Sequence, residues 1–148
     1  MIRQSDVAAL YKAACRSRKE LVEWMQWPRT FSINMAGKHV AKRLRSWSSR
    51  ELIYTSLLGF AIRCRGEFVG AMDLSNFSLP EGSAEVSYWI DTSQARQRIA
   101  RRALHMLTTF CFQHEIPRVI LCVDPRNVGS QNVVRRVGGI RIGASISI

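Results

Sequence analysis

Acidic residues are scarce in this chain. It carries 11 Asp and Glu against 22 Lys and Arg in 148 residues, a formal net charge of +11. Such an excess favours polyanionic partners: a phosphorylated cofactor, a nucleic acid or a ribosome surface. Charge alone does not choose among them. Long apolar runs are also missing. None approaches the ~18–20 residues of a membrane-spanning helix, so no membrane partner is expected. The N-terminus is polar and helix-patterned, without the apolar core of a secretory signal, which points to a cytoplasmic protein. Histidine is rare, with three residues. His105 and His114 fall on the polar side of a helix and His39 in a basic one, so all three read as surface residues. Cys15, Cys64, Cys111 and Cys122 fall singly, at apolar positions and without metal-ligand spacing. They read as buried free thiols, and no metal is expected.

What is present is enough for one globular domain over residues 1–148, at 47% hydrophobic and 22% charged. Ser5 suits the N-cap of a first helix, and Ser17-x-x-Glu20 has the capping-box pattern of a restart that ends at Trp27-Pro28. Residues 38–47 read as a basic amphipathic helix, within a basic cluster from Lys38 to Arg50. Strands are expected over 57–64, 68–74, 84–90 and 118–123, and an edge strand over 140–148. A long helix is expected from Gln94 to His114, packed through Ile99, Ala103, Met106, Leu107, Phe110 and Cys111. A short one follows from Ser130 to Val137, stopped by Gly138-Gly139. The fold class is α+β (mixed α/β), with helices on both faces of a sheet.

Residues 84–139 run strand, helix, strand, helix. A strand leading into a helix N-terminus leaves backbone N–H groups without partners, and these seat phosphates. The next strand ends in Val123-Asp124-Pro125-Arg126-Asn127, with Ser130 three residues on.

At these residues the chain resembles the GNAT acetyltransferases, most closely the ribosomal-protein-alanine (RimJ/RimL-like) branch. The pattern V-D-P-x-N-x-x-S, Val123 to Ser130, is its most specific piece. Ile2 to Tyr11 with Ser17 to Pro28, and Gly66 to Leu74, resemble the opening elements and second hairpin of that family. The resemblance implies a mostly antiparallel central sheet and acetyl-CoA as co-substrate, held by Ile90, Arg96, Gln97, Arg98, Ile99, Ala100, Asn127 and Ser130. It implies shortened ends, the first strand being cut to about Met1–Gln4. Of the family's loop Arg/Gln-x-x-Gly-x-Gly/Ala, the leading residue falls on Ser93 and the glycines on Arg96 and Arg98. Arginine there is expected to lose the close backbone approach that glycine allows, while adding forked, charged donors for phosphate.

Transfer of an acetyl group from a thioester to an amine needs a neutral amine, donors for the carbonyl oxygen and a proton for the departing thiolate. The resemblance gives Ser130 the thiolate and Asn127 the pantetheine arm, although both residue types also suit a helix cap. Glu85 is the candidate base. The resemblance places Trp24 and Trp27, three apart and thus on one helix face, beside the acceptor groove, with Tyr88 a further acceptor-binding candidate, although core packing suits all three. With no strong base visible, an α-amine of pKa ~7.7–8.0 suits the site better than a lysine near ~10.4. The expected acceptor is therefore a protein or peptide N-terminus, with ribosome or nucleic-acid association through the basic surface, in a monomer or homodimer. Two alternatives stay open: a non-catalytic GNAT-fold module binding a polyanion such as RNA, and a small-molecule acetyltransferase.

Overall fold

A computed structural model describes residues 1–48, 57–78, 80–142 and 145–147. Expectations that fall on Arg50, Gly143 and Ile148 lie outside the described residues. Five helices, α1 (Val7–Arg16), α2 (Arg18–Trp24), α3 (Ile33–Ser48), α4 (Ile99–Gln113) and α5 (Val128–Arg135), flank one sheet. Its strands are β1 (Leu58–Cys64), β2 (Glu67–Ser78), β3 (Ser83–Ile90), β4 (Arg118–Cys122), β5 (Ile140–Ile142) and β6 (Ser145–Ser147), in the order β1-β2-β3-β4-β6-β5. All neighbours are antiparallel except β3 and β4, which α4 connects as a parallel crossover. This is the mixed α/β arrangement expected. No helix among the described residues is long and apolar enough to cross a membrane.

Alternation along the strands sends apolar side chains to both faces. On one face Leu74, Val86 and Leu121 meet Ile99, Leu104, Leu107 and Cys111 of α4 and Val134 of α5. On the other, Ala71 and Trp89 meet Leu10, Ala14, Leu21, Ala36 and Val40 of α1, α2 and α3. A sheet buried on both sides explains the near-continuous apolar run of β4. Cys111 is buried, and burial pushes its thiol up to about 11. Cys122 is exposed, which corrects the expectation of a fully buried set.

Several local expectations are corrected. Met1 to Arg3 form no strand, although the Ile2 amide still bonds the Gly59 carbonyl at 3.1 Å. Ser5 caps nothing; Asp6 instead accepts from the Arg3 amide at 2.7 Å and opens the first turn. The break at Ser17 is where expected, but its hydroxyl is committed elsewhere and no capping box forms. Helix α3 starts five residues before the expected Lys38. Met106 is 72% exposed and Leu104 fully buried, because the core stripe of α4 runs through Ile99, Leu104, Leu107 and Cys111. The expected edge strand splits into β5 and β6. Helix α2 stops at Trp24 and Trp27 opens a separate 3-10 turn, so the two tryptophans do not share a helix face.

Candidate functional site

The parallel ladder between β3 and β4 is short. It pairs Ser83 with Arg118, Ala84 with Val119 and Glu85 with Ile120, and then stops. Strand β3 runs on for five residues, bonded to β2 on its other edge. Beyond Glu85 the two strands therefore fork, and the edge of β3 that faces β4 has no strand partner among the described residues. Backbone donors and acceptors along such an edge need partners, which water or a ligand entering the fork can supply.

Beside the fork, on the α4–α5 face, Tyr88 meets Ser130. Their hydroxyls are 2.8 Å apart, and either can be the donor. Ser130 lies in the first turn of α5, which Asn127 caps by accepting the Ser130 amide at 2.9 Å. Asn127 thus fills the capping role, and its side-chain NH₂ has no partner among the described residues. Burial raises the Tyr88 phenol above its ordinary range, against the lowering effect of Ser130. Tyr88 therefore stays protonated well past neutral pH.

Strand β3 leads into a phosphate-suited seat. Ile90 ends the strand, partly buried on the α4 face. Asp91 follows, 1% exposed, and organises the turn. Its carboxylate accepts from Arg16 (2.5 and 3.1 Å), from the Ser93 amide (3.1 Å) and hydroxyl (2.9 Å), and from Ser17 (3.4 Å). The Ser17 hydroxyl also accepts the Thr92 amide at 2.9 Å, tying the turn to the α1–α2 junction. Burial would raise the Asp91 carboxyl, but Arg16 and Ser93 outweigh it and hold it below the ordinary range.

After this anchor the structure differs from the sequence expectation. Gln94 closes a 3-10 turn that starts at Thr92, and residues 95–98 are not helical; α4 begins at Ile99 with Arg98 as its N-cap. Arg96 (φ 65°) and Arg98 (φ 59°) both occupy the left-handed region that glycine favours. The loop thus keeps the left-handed backbone of a glycine-bearing turn with arginine in both places. Among the described residues, the amides from Arg96 to Arg101, including those of Gln97, Ile99 and Ala100, have no hydrogen-bond partner. Unpaired N–H groups at a helix start, flanked by arginine, are a donor set that fits phosphate. An adjoining cavity of about 470 Å³ is lined by Arg98, Arg101, Arg102, His105 and Arg136. No ion pair engages these four arginines among the described residues.

On the opposite face lies a groove of about 510 Å³. Trp27, Phe31 and Trp89 form its aromatic wall, Trp27 lying edge-to-face with Phe31 at 4.8 Å and tilted against Trp89 at 5.7 Å. His39, Arg43, Asp73 and Ser87 line it as well. Arg43 is 6% exposed and pairs in a fork with Asp73. Its stem passes over Gly59, where an added Cβ would fall 2.4 Å from the arginine Cδ, so only glycine fits there. His39 is half-buried rather than a surface residue. Burial, and then Arg43, lower it to about 4, so it is neutral at pH 7. Trp24 is not in this lining. Tyr88 is, while its hydroxyl points to Ser130.

Glu85 sits at the apex of the fork, on the groove side of β3. Its carboxylate accepts from the Asn76 side chain at 2.7 Å. The structure thus brings Tyr88, Asn127 and Ser130 together and sets Glu85 on the other face. Sequence reasoning missed Phe31, His39, the Arg43–Asp73 pair and the anchoring role of Asp91. The available signal was Arg43 on α3, a basic residue at the inward spacing of Val40 and Leu44. No group of metal ligands occurs among the described residues.

The sheet is thus forked, with unpaired helix-start amides beside one arm and an aromatic groove on the opposite face. The acetyltransferase (GNAT) domain family matches residues 1–140, and the chain belongs to that family. Among solved structures it is similar to RimL, the ribosomal L7/L12 α-N-protein acetyltransferase, in complex with coenzyme A. That match is 20% identical, covers 99% of this chain and 88% of the other, and has a TM-score of 0.82. It is similar to Mycobacterium smegmatis RimJ in complex with CoA-disulfide at 24% identity, 99% and 78% coverage and a TM-score of 0.87. It is also similar to the aminoglycoside acetyltransferase AAC(6')-Ib in complex with coenzyme A and kanamycin, at 15% identity, 100% and 91% coverage and a TM-score of 0.76. No curated protein matches the chain. At these identities the likeness defines the fold and leaves the acceptor open.

Proposed function

We propose that the chain is an acetyl-CoA-dependent N-acetyltransferase acting on the α-amine of a peptide or protein. The observation that carries this reading is the fork between β3 and β4, with the Tyr88–Ser130 pair on one face and the aromatic groove on the other. In this reading the phosphates of acetyl-CoA rest on the amides of Arg96 to Arg101, and Asn127 donates to the pantetheine arm. The thioester enters the fork, where backbone N–H groups of β3 polarise its carbonyl. The acceptor amine approaches from the groove and attacks the carbonyl carbon. A C–N bond forms and the C–S bond breaks. The sulfur takes a proton relayed through the Ser130–Tyr88 hydroxyl pair, which solvent restores to Tyr88 as the products leave; the amine loses one through water to Glu85, which returns it to solvent. Neutral His39 adds a hydrogen-bonding group without adding charge.

The polyanion-binding alternative draws support from the arginines of the helix start, but their cavity carries no Phe, Tyr or Trp for base stacking, and His105 is its one ring. A polycationic small-molecule acceptor fits poorly in a groove rimmed by Lys38 and Lys42. Ser130→Ala tests the chemistry. Turnover should fall by about 10–10⁴-fold with coenzyme A affinity nearly unchanged. Unchanged turnover would reduce Ser130 to a position on a capped helix, and absence of coenzyme A binding to the native chain would remove the enzyme reading.

A further inference from the structure

We propose that the groove selects acceptors bearing carboxylates close to the reacting amine, and that Lys38 and Lys42 are the residues that read them. The inference deepens the N-acetyltransferase reading above and rests on it for the position of the amine. Lys38 and Lys42 are four apart on α3, hence on one face, and both line the groove. Both are exposed, and neither forms an ion pair among the described residues. The lining contains one carboxylate, Asp73, and Arg43 is forked onto it. His39 carries no charge at neutral pH, since burial disfavours its protonated form. Two positive charges therefore remain uncompensated at the rim, over an apolar wall of Trp27, Phe31 and Trp89.

That arrangement acts on the acceptor twice. A polycation, whether a lysine-rich tail or an aminoglycoside, is repelled on approach. A bound α-ammonium beside two lysines loses its proton more readily, because like charges disfavour the charged form. The attacking species is the neutral amine, so the lysines favour reactivity where a base is weak. Carboxylates a few residues into the acceptor restore attraction, at the expense of part of that effect, because paired lysines disfavour the ammonium less. The chemical class is thus a peptide with a free N-terminus followed by acidic residues.

The test uses hexapeptides with the same first residue, carrying Asp and Glu or Lys at positions two to four. Binding is read by titration calorimetry without cofactor, at low and high salt. The acidic peptide should bind about 5- to 30-fold tighter at low salt, shrinking below about twofold near ~0.5 M. The double variant Lys38→Glu/Lys42→Glu should reverse the order, while Lys38→Arg/Lys42→Arg should keep it. Both sites are exposed on a helix, and circular dichroism confirms that the variants fold. Equal affinities for the two peptides, an order that the charge reversal does not change, or no binding of either peptide would overturn the proposal. Acidic preference in binding, with no acetylation of any peptide when acetyl-CoA is added, would uphold the charge selection and overturn the transferase reading.

Discussion

Replacing Arg96 and Arg98 by glycine should make the protein more stable and weaken coenzyme binding at the proposed phosphate site. Both residues hold left-handed backbone, with φ of 65° and 59°. That conformation costs an L-residue about 1–2 kcal/mol, and glycine nothing comparable. Glycine gives back about 0.4–1 kcal/mol through its greater freedom in the unfolded chain. The double variant should therefore gain about 1–2 kcal/mol. For a chain of this size that raises Tm by about 2–8 °C. The effect on ligand has the opposite sign. Two guanidinium groups leave the edge of a phosphate seat whose amides remain, so coenzyme A should bind about tenfold more weakly at low salt. The deficit should shrink toward ~1 M salt, where the Debye length is about 3 Å. Scanning calorimetry and titration at two salt concentrations measure both quantities on the same preparations. An unchanged or lower Tm would refute the strain argument. Tighter coenzyme A binding in the variant would mean that the arginines obstruct the phosphates.

Asp91→Asn should lower stability by about 1.5–3 kcal/mol, seen as a lower urea midpoint, because it removes the charge that Arg16 and the Ser93 donors satisfy at a buried position. Asp91 is held below the ordinary carboxyl range in the folded chain. Its contribution is therefore complete above the unfolded value near ~4 and lost as pH falls through the lower folded value, so the difference between variant and native chain should narrow in acid. His39 works in the same direction from the opposite charge. Its folded pKa is about 4. The unfolded chain, titrating near ~6.5, binds the extra proton between those values, so native stability should rise from pH 4 to 6.5, by on the order of 2–3 kcal/mol. In His39→Gln that part of the slope should vanish; an unaltered slope in chemical unfolding at stepped pH would show that His39 is not buried as described.

Much of the fold was legible because the apolar patterns differ by element. The unbroken run of Val119 to Leu121 reads as a strand buried on both faces, and Pro117 marks the end of the helix before it. The start of that helix was not legible. Gln94 to Arg98 are good helix formers, and no local rule places arginine in left-handed backbone; the anchoring of Asp91 by Arg16 and Ser17, more than 70 residues away, overrides their propensity. The Asn127–Ser130 spacing gave the cap and the hydroxyl together, since one geometry serves both. The groove was hidden for a different reason. His39 and Arg43 look like the solvated side of a basic helix until Asp73 and Gly59, on neighbouring strands, supply a partner and a space for the arginine.

Those long-range partners also bear on how, in the proposed reaction, one strand would serve two reactants. Successive residues of β3 point to opposite faces, so Tyr88 reaches Ser130 while its neighbour Trp89 joins the wall of the groove. A closed ladder would keep the two faces apart. Here pairing with β4 ends at Glu85, and the opening begins two residues before Ser87 and three before Tyr88. The proposed transfer across the sheet depends on that ladder being three pairs long. The register of β3 is in turn pinned by β2, through Ala71 opposite Trp89 and Met72 opposite Tyr88. A slip of one residue would turn the phenol into the groove and the indole toward α5, leaving Ser130 without its partner. The dense β2–β3 pairing and the short β3–β4 pairing thus act together: the first fixes which side chain meets which reactant, and the second leaves the gap through which they meet.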